Sequence, residues 1–149
     1  MLGASFLLTA DQLAELRGCP DDEAREAWLM ALEEAVPDDR WFQFDKAWEP
    51  IHLALGDGEL VIQDGPPRAH AVFGSEPLME DEETDTFAGL LPADEVANVV
   101  AELEPLDEAW VREHVDDDFD YVWENFDGLR AFLARARDED AAVVFTVTG

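Results

Sequence analysis

The sequence predicts an α+β fold, with strands at both ends of the chain and amphipathic helices between them. Residues 5–9 and 141–148 are short runs rich in apolar or β-branched residues, which are typical of strands. The segments between them repeat apolar residues at helical spacing. We therefore expect one mainly antiparallel sheet that contains the N- and C-terminal strands and is packed by several amphipathic helices.

The length of 149 residues is typical of one domain, and 48% of the residues are hydrophobic, including five Trp and nine Phe. A chain of this size buries roughly 70% of the surface that its unfolded form exposes. The sequence contains no linker long enough to divide it. Residues 1–149 are therefore expected to form a single domain.

The first two predicted helices have clear start signals. Thr9 and Gln12 have the spacing of a capping box, which predicts a brief helix ending near Arg17. A second helix follows Pro20, begins with acidic residues and ends before Pro37. Its inward stripe consists of Ala24, Ala27, Trp28, Ala31, Leu32 and Ala35.

A third helix is predicted after residues 41–44, three of which are aromatic. Asp45 is its expected N-cap, and the Gly-rich turn at residues 56–58 is expected to end it. Pro50 then falls late for a first-turn position, which indicates an irregular start or a restart at that residue.

The middle of the chain has weaker patterns. Residues 60–62 and 69–73 are short strand candidates, and residues 80–85 are expected to form an acidic loop before an apolar run at residues 87–91.

Three more helices are predicted in the C-terminal half. The first begins at Pro92, the second covers residues 106–115, and the longest covers residues 122–137. Trp48 and Trp123 lie on apolar helical stripes, so both are expected in the main core.

The chain is strongly acidic, because 37 Asp and Glu stand against 9 Lys and Arg, for a formal net charge of -28. The acids lie on the polar side of nearly every helix, which is typical of a solvated coat serving solubility or life in a salty cytoplasm. The same charge also fits a surface that binds a basic protein. Binding to DNA or RNA is not expected, since phosphate contacts need clusters of Lys and Arg.

No apolar run approaches the ~18 residues of a membrane span, and residues 1–10 lack the basic start and long apolar core of a signal peptide. We therefore expect a cytoplasmic protein without membrane contact. The only cysteine, Cys19, cannot form an internal disulfide, and its acidic surroundings predict an unreactive thiol.

The stretch from residue 44 to 52, Phe-Asp-Lys-Ala-Trp-Glu-Pro-Ile-His, resembles the hallmark of the YfbM-like family, small bacterial proteins of unknown function. Residues 71–74, 91–96 and 126–132 resemble the family more faintly. The resemblance implies membership over the whole chain. It implies no activity, cofactor or partner, because no function is established for the family.

The hallmark stretch supplies the candidate site residues Asp45, Lys46, Trp48 and His52, and His70 follows in a later segment. Trp48 and His52 share one helical face, which either lines a pocket or packs in the core. Lys46, the only lysine, is either a base or electrophile or the partner of a neighbouring acid. His70 is either part of this site or a half-buried strand residue.

Other catalytic and metal-binding patterns are incomplete. Asp116, Asp118 and Asp120 match the first alternating ligands of a calcium loop, but Tyr121 stands where that loop needs glycine, so these acids are better explained as capping residues of the long helix. Neither serine has a Gly-x-Ser-x-Gly setting. A phosphate loop, a cysteine pair and a His-x-x-x-His spacing are also missing, so no metal or nucleotide cofactor is expected.

Two classes of function remain. The first is a non-catalytic module that binds a basic protein, as an inhibitor, immunity factor or adaptor. The second is a small-molecule-binding protein or enzyme with a cleft around Asp45, Lys46, His52 and His70. Convergence of these four side chains on one open pocket would favour the second class.

Overall fold

Five strands form one antiparallel sheet in the computed structural model of the protein, which describes residues 2–60, 64–81, 83, 86–116 and 118–148. The strands are β1 (Leu2–Leu8), β2 (Trp41–Asp45), β3 (Glu76–Asp81), β4 (Thr86–Leu91) and β5 (Ala142–Thr148). The helices are α1 (Ala10–Arg17), α2 (Asp22–Ala35), α3 (Trp48–Leu55), α4 (Ala93–Leu103), α5 (Glu108–His114) and α6 (Phe119–Glu139). Short 3-10 turns cover Asp38–Arg40 and Pro67–His70.

The two terminal strands lie side by side in the centre of the sheet, whose order is β2-β1-β5-β4-β3. The β1–β5 pairing runs from Leu2 opposite Thr148 to Leu8 opposite Ala142, and the other three pairings are also antiparallel. The predicted α+β fold, with both terminal strands in one antiparallel sheet, is confirmed.

Helices pack on both faces of the sheet. Leu7 and Phe145 belong to the main core, where the sheet meets α3, α4, α5 and α6. Phe6 and Val144 belong to a second core on the opposite face, where the sheet meets α1 and α2. Because successive residues of a strand point to opposite faces, the two cores together explain why the central strands are apolar at consecutive positions.

The strongest local signals produced the predicted helix boundaries. Thr9 and Gln12 form both hydrogen bonds of the capping box at the start of α1. The carboxylate of Asp21 accepts a hydrogen bond from the N–H of Ala24 and caps α2. The helix predicted to begin at Pro92 begins one residue later, because Pro92 is the N-cap of α4.

The start of the third helix was predicted wrongly. Residues 41–45 form the edge strand β2, and the N-cap of α3 is Ala47, not Asp45. Asp45 instead adopts a positive φ of 56° where the chain leaves the strand. Pro50 is therefore the third helical residue, where its missing N–H removes no intrahelical hydrogen bond.

The strand predicted at residues 69–73 is also wrong, because this segment is a 3-10 turn followed by further turns. Its apolar residues Ala71, Val72 and Phe73 are buried in the main core, so their burial does not come from sheet pairing. β3 begins later and extends to Asp81, into the predicted acidic loop. Of the strand predicted at residues 60–62, only Leu60 lies among the described residues, and it belongs to no strand.

The two tryptophans expected in the core differ. Trp48 is buried, with only 7% of its surface exposed, and lies in the main core. Trp123 is only partly buried and packs against the edge of the same core.

Candidate functional site

A cleft of about 850 Å³ lies between α3 and the segment that joins α5 to α6. Its walls combine carboxylates, two basic side chains, one tyrosine and a set of apolar residues. We refer to it as the acidic cleft, and its lining residues are Asp45, Lys46, Pro50, Leu53, Ala54, Asp57, Gly58, His114, Val115, Asp116, Asp118, Tyr121 and Val122.

Helix α3 presents one face to this cleft and another to the core. Pro50, Leu53 and Ala54 line the cleft at helical spacing. Trp48, Ile51, His52 and Leu55 are buried on the opposite side. The helix therefore supplies an apolar wall to the cleft while its most chemically distinctive side chains face away.

Tyr121 connects the cleft to the end of β2. Its hydroxyl donates a hydrogen bond to Asp45 Oδ2 at 3.0 Å and accepts one from the backbone N–H of Lys46 at 3.1 Å. These bonds join α6 to the turn between β2 and α3. The positive φ of Asp45 is what turns the chain at this point, and short polar side chains such as Asp tolerate that conformation better than most residues.

The pKa of Tyr121 is raised above its ordinary value. Partial burial is the largest cause, because it disfavours the charged phenolate. The carboxylate of Asp45 raises the pKa further, while the N–H of Lys46 opposes the shift. Tyr121 is thus a protonated hydrogen-bond donor near neutral pH, and its hydrogen bond holds the carboxylate of Asp45 at the cleft.

Three more carboxylates line the cleft. Asp57 follows the end of α3, adopts a positive φ of 56°, and lies 3.4 Å from a guanidinium nitrogen of Arg68. Asp116 and Asp118 come from the segment between α5 and α6, and both side chains are exposed. Asp118 is the N-cap of α6, but its side chain makes no capping hydrogen bond.

Two basic residues balance these acids only in part. Lys46 is exposed, and the ion pairs found in the described regions of the chain all use arginine, so the predicted pairing of Lys46 with a neighbouring acid is not seen there. His114 ends α5, where its Nδ1 lies 2.7 Å from the carbonyl oxygen of Trp110 and its ring stacks on the Trp110 indole.

The structure brings only two of the five predicted site residues into the cleft, namely Asp45 and Lys46. Trp48 is a core residue, although its edge contributes with Lys46 to a shallow surface depression. His52 is fully buried, and its ring stacks on Phe73 at a centroid distance of 4.1 Å. Of the two alternatives for the face shared by Trp48 and His52, a pocket wall or a core-packing face, the structure shows the core-packing face.

His70 lies elsewhere, in the 3-10 turn, where its Nε2 is 3.1 Å from the carbonyl oxygen of Asp64. It lines a separate small cavity beside α4. Asp45, Lys46, His52 and His70 thus do not converge on one open pocket.

The polar cleft residues that the sequence did not mark as a site are Asp57, His114, Asp116, Asp118 and Tyr121. Asp116, Asp118 and Tyr121 belong to the calcium-like spacing in the sequence, but that spacing is an incomplete metal motif and did not predict the cleft. In the described residues there is no group of three or more His, Cys, Asp or Glu side chains arranged to hold a metal ion. Within the same residues, none of the helices combines the length and apolarity needed to cross a membrane.

Comparison with known proteins gives a family and a fold. A family model described as a domain of unknown function (DUF1877) matches residues 1–116 and 105–146. The crystal structure of YfbM from Escherichia coli, a protein of unknown function, is similar with a TM-score of 0.71, covering 98% of this chain and 99% of that one at 18% sequence identity. No curated protein sequence matches the chain. The resemblance to the YfbM-like family is confirmed, and the structural similarity establishes a shared fold.

Proposed function

The chain belongs to the DUF1877 family of domains of unknown function, and we propose that it is a non-catalytic module that binds a basic protein through the acidic cleft. The observation that carries this proposal is the composition of the cleft, whose lining contains four aspartates but only one lysine and one histidine. Asp57 is paired with Arg68, so Asp45, Asp116 and Asp118 are the carboxylates offered to a cationic partner. We also propose that residues 1–149 form one domain and that the protein is located in the cytoplasm, as the sequence predicts.

Electrostatics favour a cationic side chain in this cleft. A unit charge pair at 4 Å is worth about 1 kcal/mol in bulk water and about 4 kcal/mol at the effective dielectric constant typical of a protein surface. Part of this attraction is offset by desolvation of both charges. The net effect of the aspartates is therefore to select a cationic partner and to speed its association.

The apolar wall favours Lys or Arg over a bare inorganic cation. Leu53, Ala54 and Val115 give the cleft a surface along which an aliphatic stem can lie. The charged end of the same side chain can then reach the carboxylates of Asp116 and Asp118. An inorganic cation would leave this wall uncovered.

A small organic cation is the second candidate, because about 850 Å³ falls within the ~300–1,000 Å³ typical of small-molecule sites. In that case Asp45 is the predicted site residue that contacts the ligand, while Lys46 lines the same cleft. An enzyme that uses His52 and His70 with them has no support from the geometry, since those two side chains lie outside the cleft.

Affinity capture from native lysate with a matched pair of variants tests the proposal. Asp116→Asn/Asp118→Asn removes two charges from the cleft, and Asn tolerates the positive φ of Asp118. Glu23→Gln/Glu34→Gln removes two charges from exposed positions on α2, outside the cleft. The captured partners are identified by mass spectrometry across a salt series.

The proposal predicts that basic proteins bind wild type and the α2 variant but are lost from the cleft variant, and that rising salt weakens capture. Equal loss from the two variants would assign binding to total charge instead of the cleft. Saturable binding of free arginine or agmatine, with no basic protein captured, would instead establish the small-molecule alternative.

A further inference from the structure

A second concave surface lies on the other side of the sheet, between α2 and strands β3 and β4. Its volume is about 220 Å³, which is below the ~300 Å³ at the lower end of small-molecule sites. It equals about seven water volumes, so it has room for one large apolar side chain. We refer to it as the α2 groove, and its main residues are Glu26, Leu29, Met30, Glu33, Met79 and Ala88.

The lining of the α2 groove is suited to an apolar side chain. Leu29, Met79 and Ala88 are buried residues of the second core and form the base of the groove. Met30 lines the side of the groove with 56% of its surface exposed, so its side chain is accessible to an incoming residue. Two unbranched methionines can adapt their shape to an incoming side chain, as they do at other protein-binding surfaces.

The rim of the groove is acidic. Glu26 and Glu33 are seven residues apart on one face of α2, which places them about 10 Å apart along the helix axis. The hydroxyl of Thr146 donates a hydrogen bond to Glu33 Oε1 at 3.2 Å, which holds that carboxylate over the sheet. Residues two positions apart in an extended chain point to the same face, and each residue adds about 3.4 Å. An anchor with a cation two positions away on each side therefore presents all three side chains to the groove. The two cations are then about 14 Å apart at the backbone, and their long flexible stems can converge on the two carboxylates.

We propose that the α2 groove receives one apolar anchor residue from an extended segment of a basic protein, with Lys or Arg two positions away from the anchor on each side. The apolar base takes the anchor, and Glu26 and Glu33 take the cations. The inference keeps the basic partner of the proposed function but places a second contact on a surface that is separate from the acidic cleft.

Methyl NMR of methionine tests this inference directly, because Met30 and Met79 both line the groove. The probe is a short synthetic peptide with one leucine and an arginine two positions away on each side of it, and its counterpart has alanine in place of leucine. The leucine peptide should shift both methyl signals saturably, and the alanine peptide should bind at least about tenfold more weakly. Methyl signals that do not shift on addition of the leucine peptide, or equal binding of both peptides, would overturn the inference.

Substitutions separate the apolar contact from the charge. Met30→Glu changes an exposed side chain and adds a negative charge, so we expect at least about tenfold weaker binding, read at the methyl group of Met79. Tighter binding by this variant would show that charge alone attracts the peptide. Glu26→Gln should weaken binding about two- to fivefold, while Glu23→Gln, on the same helix but outside the groove, should not. Equal effects of these two would refute the role of the rim.

The aromatic signals of Tyr121, the only tyrosine, report on the acidic cleft in the same samples. A response at Tyr121 with silent methionines would refute the α2 groove and leave the proposed function standing. A response at the methionines with a silent Tyr121 would support the groove and count against the cleft.

Discussion

Replacement of Trp48 by alanine should be far more destabilising than the same replacement at Trp123. Only 7% of the surface of Trp48 is exposed. The centroid of its ring lies 5.8 Å from the ring centroid of Phe73 and 6.2 Å from that of Phe145. A Cβ atom on Gly3 would approach within 2.8 Å of its Cδ1 atom, so the indole also packs closely against β1.

The expected cost of Trp48→Ala follows from this burial. A buried aromatic side chain removes about 150–250 Å² from water, and Trp→Ala in a core typically costs about 3–5 kcal/mol of unfolding free energy. We expect about 4 kcal/mol at this site. Trp123 is only partly buried, beside Phe126 and Arg130, so Trp123→Ala should cost about 2 kcal/mol or less.

Urea unfolding of the two variants and the wild type, followed by circular dichroism, measures both costs. The shared substitution makes each variant the control for the other. A cost below about 1 kcal/mol for Trp48→Ala, or a larger cost for Trp123→Ala than for Trp48→Ala, would refute the assignment of Trp48 to the core.

Three further predictions concern the cleft, the sheet and the charge. Asp45→Asn should lower the pKa of Tyr121, because it removes a carboxylate that favours the protonated phenol; an unchanged phenolate titration by ultraviolet absorbance would contradict the hydrogen bond between them. Gly89→Ala should lower the unfolding free energy by about 3 kcal/mol or more, because the new Cβ would overlap the carbonyl oxygen of Phe73. Gly58→Ala should lower it by only about 1 kcal/mol, because the new Cβ meets no atom and only the positive φ is unfavourable. Equal urea midpoints for the two variants would refute this contrast. Added monovalent salt should raise the urea midpoint of the free protein by screening its net charge of -28, and a lowered midpoint would show that self-repulsion is not the dominant charge effect.

The fold was predictable where the signals are local. The capping box at Thr9 and Gln12 fixes the start of α1 through hydrogen bonds between residues three apart. The apolar, β-branched C-terminal segment likewise indicates a strand without reference to the rest of the chain. Its pairing with β1 follows from the need of short apolar strands for a partner.

The errors arose where tertiary packing decides the local structure. Asp45 is a good N-cap residue by type, but the chain uses it at a positive φ to leave β2, so the N-cap lies two residues later, at Ala47. The apolar segment at residues 71–73 resembles a strand because it is buried. Gly74, with a φ of +76°, and Gly89, opposite the carbonyl oxygen of Phe73, allow it to lie against β4 as a turn.

Only part of the acidic cleft could be predicted. Asp45 and Lys46 were marked by their unusual local sequence, but Tyr121 lies 76 residues from Asp45 along the chain. No short-range pattern relates the two. The spacing of Trp48 and His52 correctly predicts that they share one helical face. Spacing alone does not show that this face packs into the core, or that Leu53 and Ala54 line the cleft.

The most direct test of the central claim is an NMR titration with an oligo-arginine peptide, observed at Tyr121 and at Lys46, which are the only residues of their types. If the acidic cleft receives cationic side chains, both residues will show saturable shifts in the wild type and in Glu23→Gln/Glu34→Gln. The shifts will be lost in Asp116→Asn/Asp118→Asn. Silent signals in the wild type, or the same titration curve in both double variants, would contradict the claim that the cleft is the recognition site.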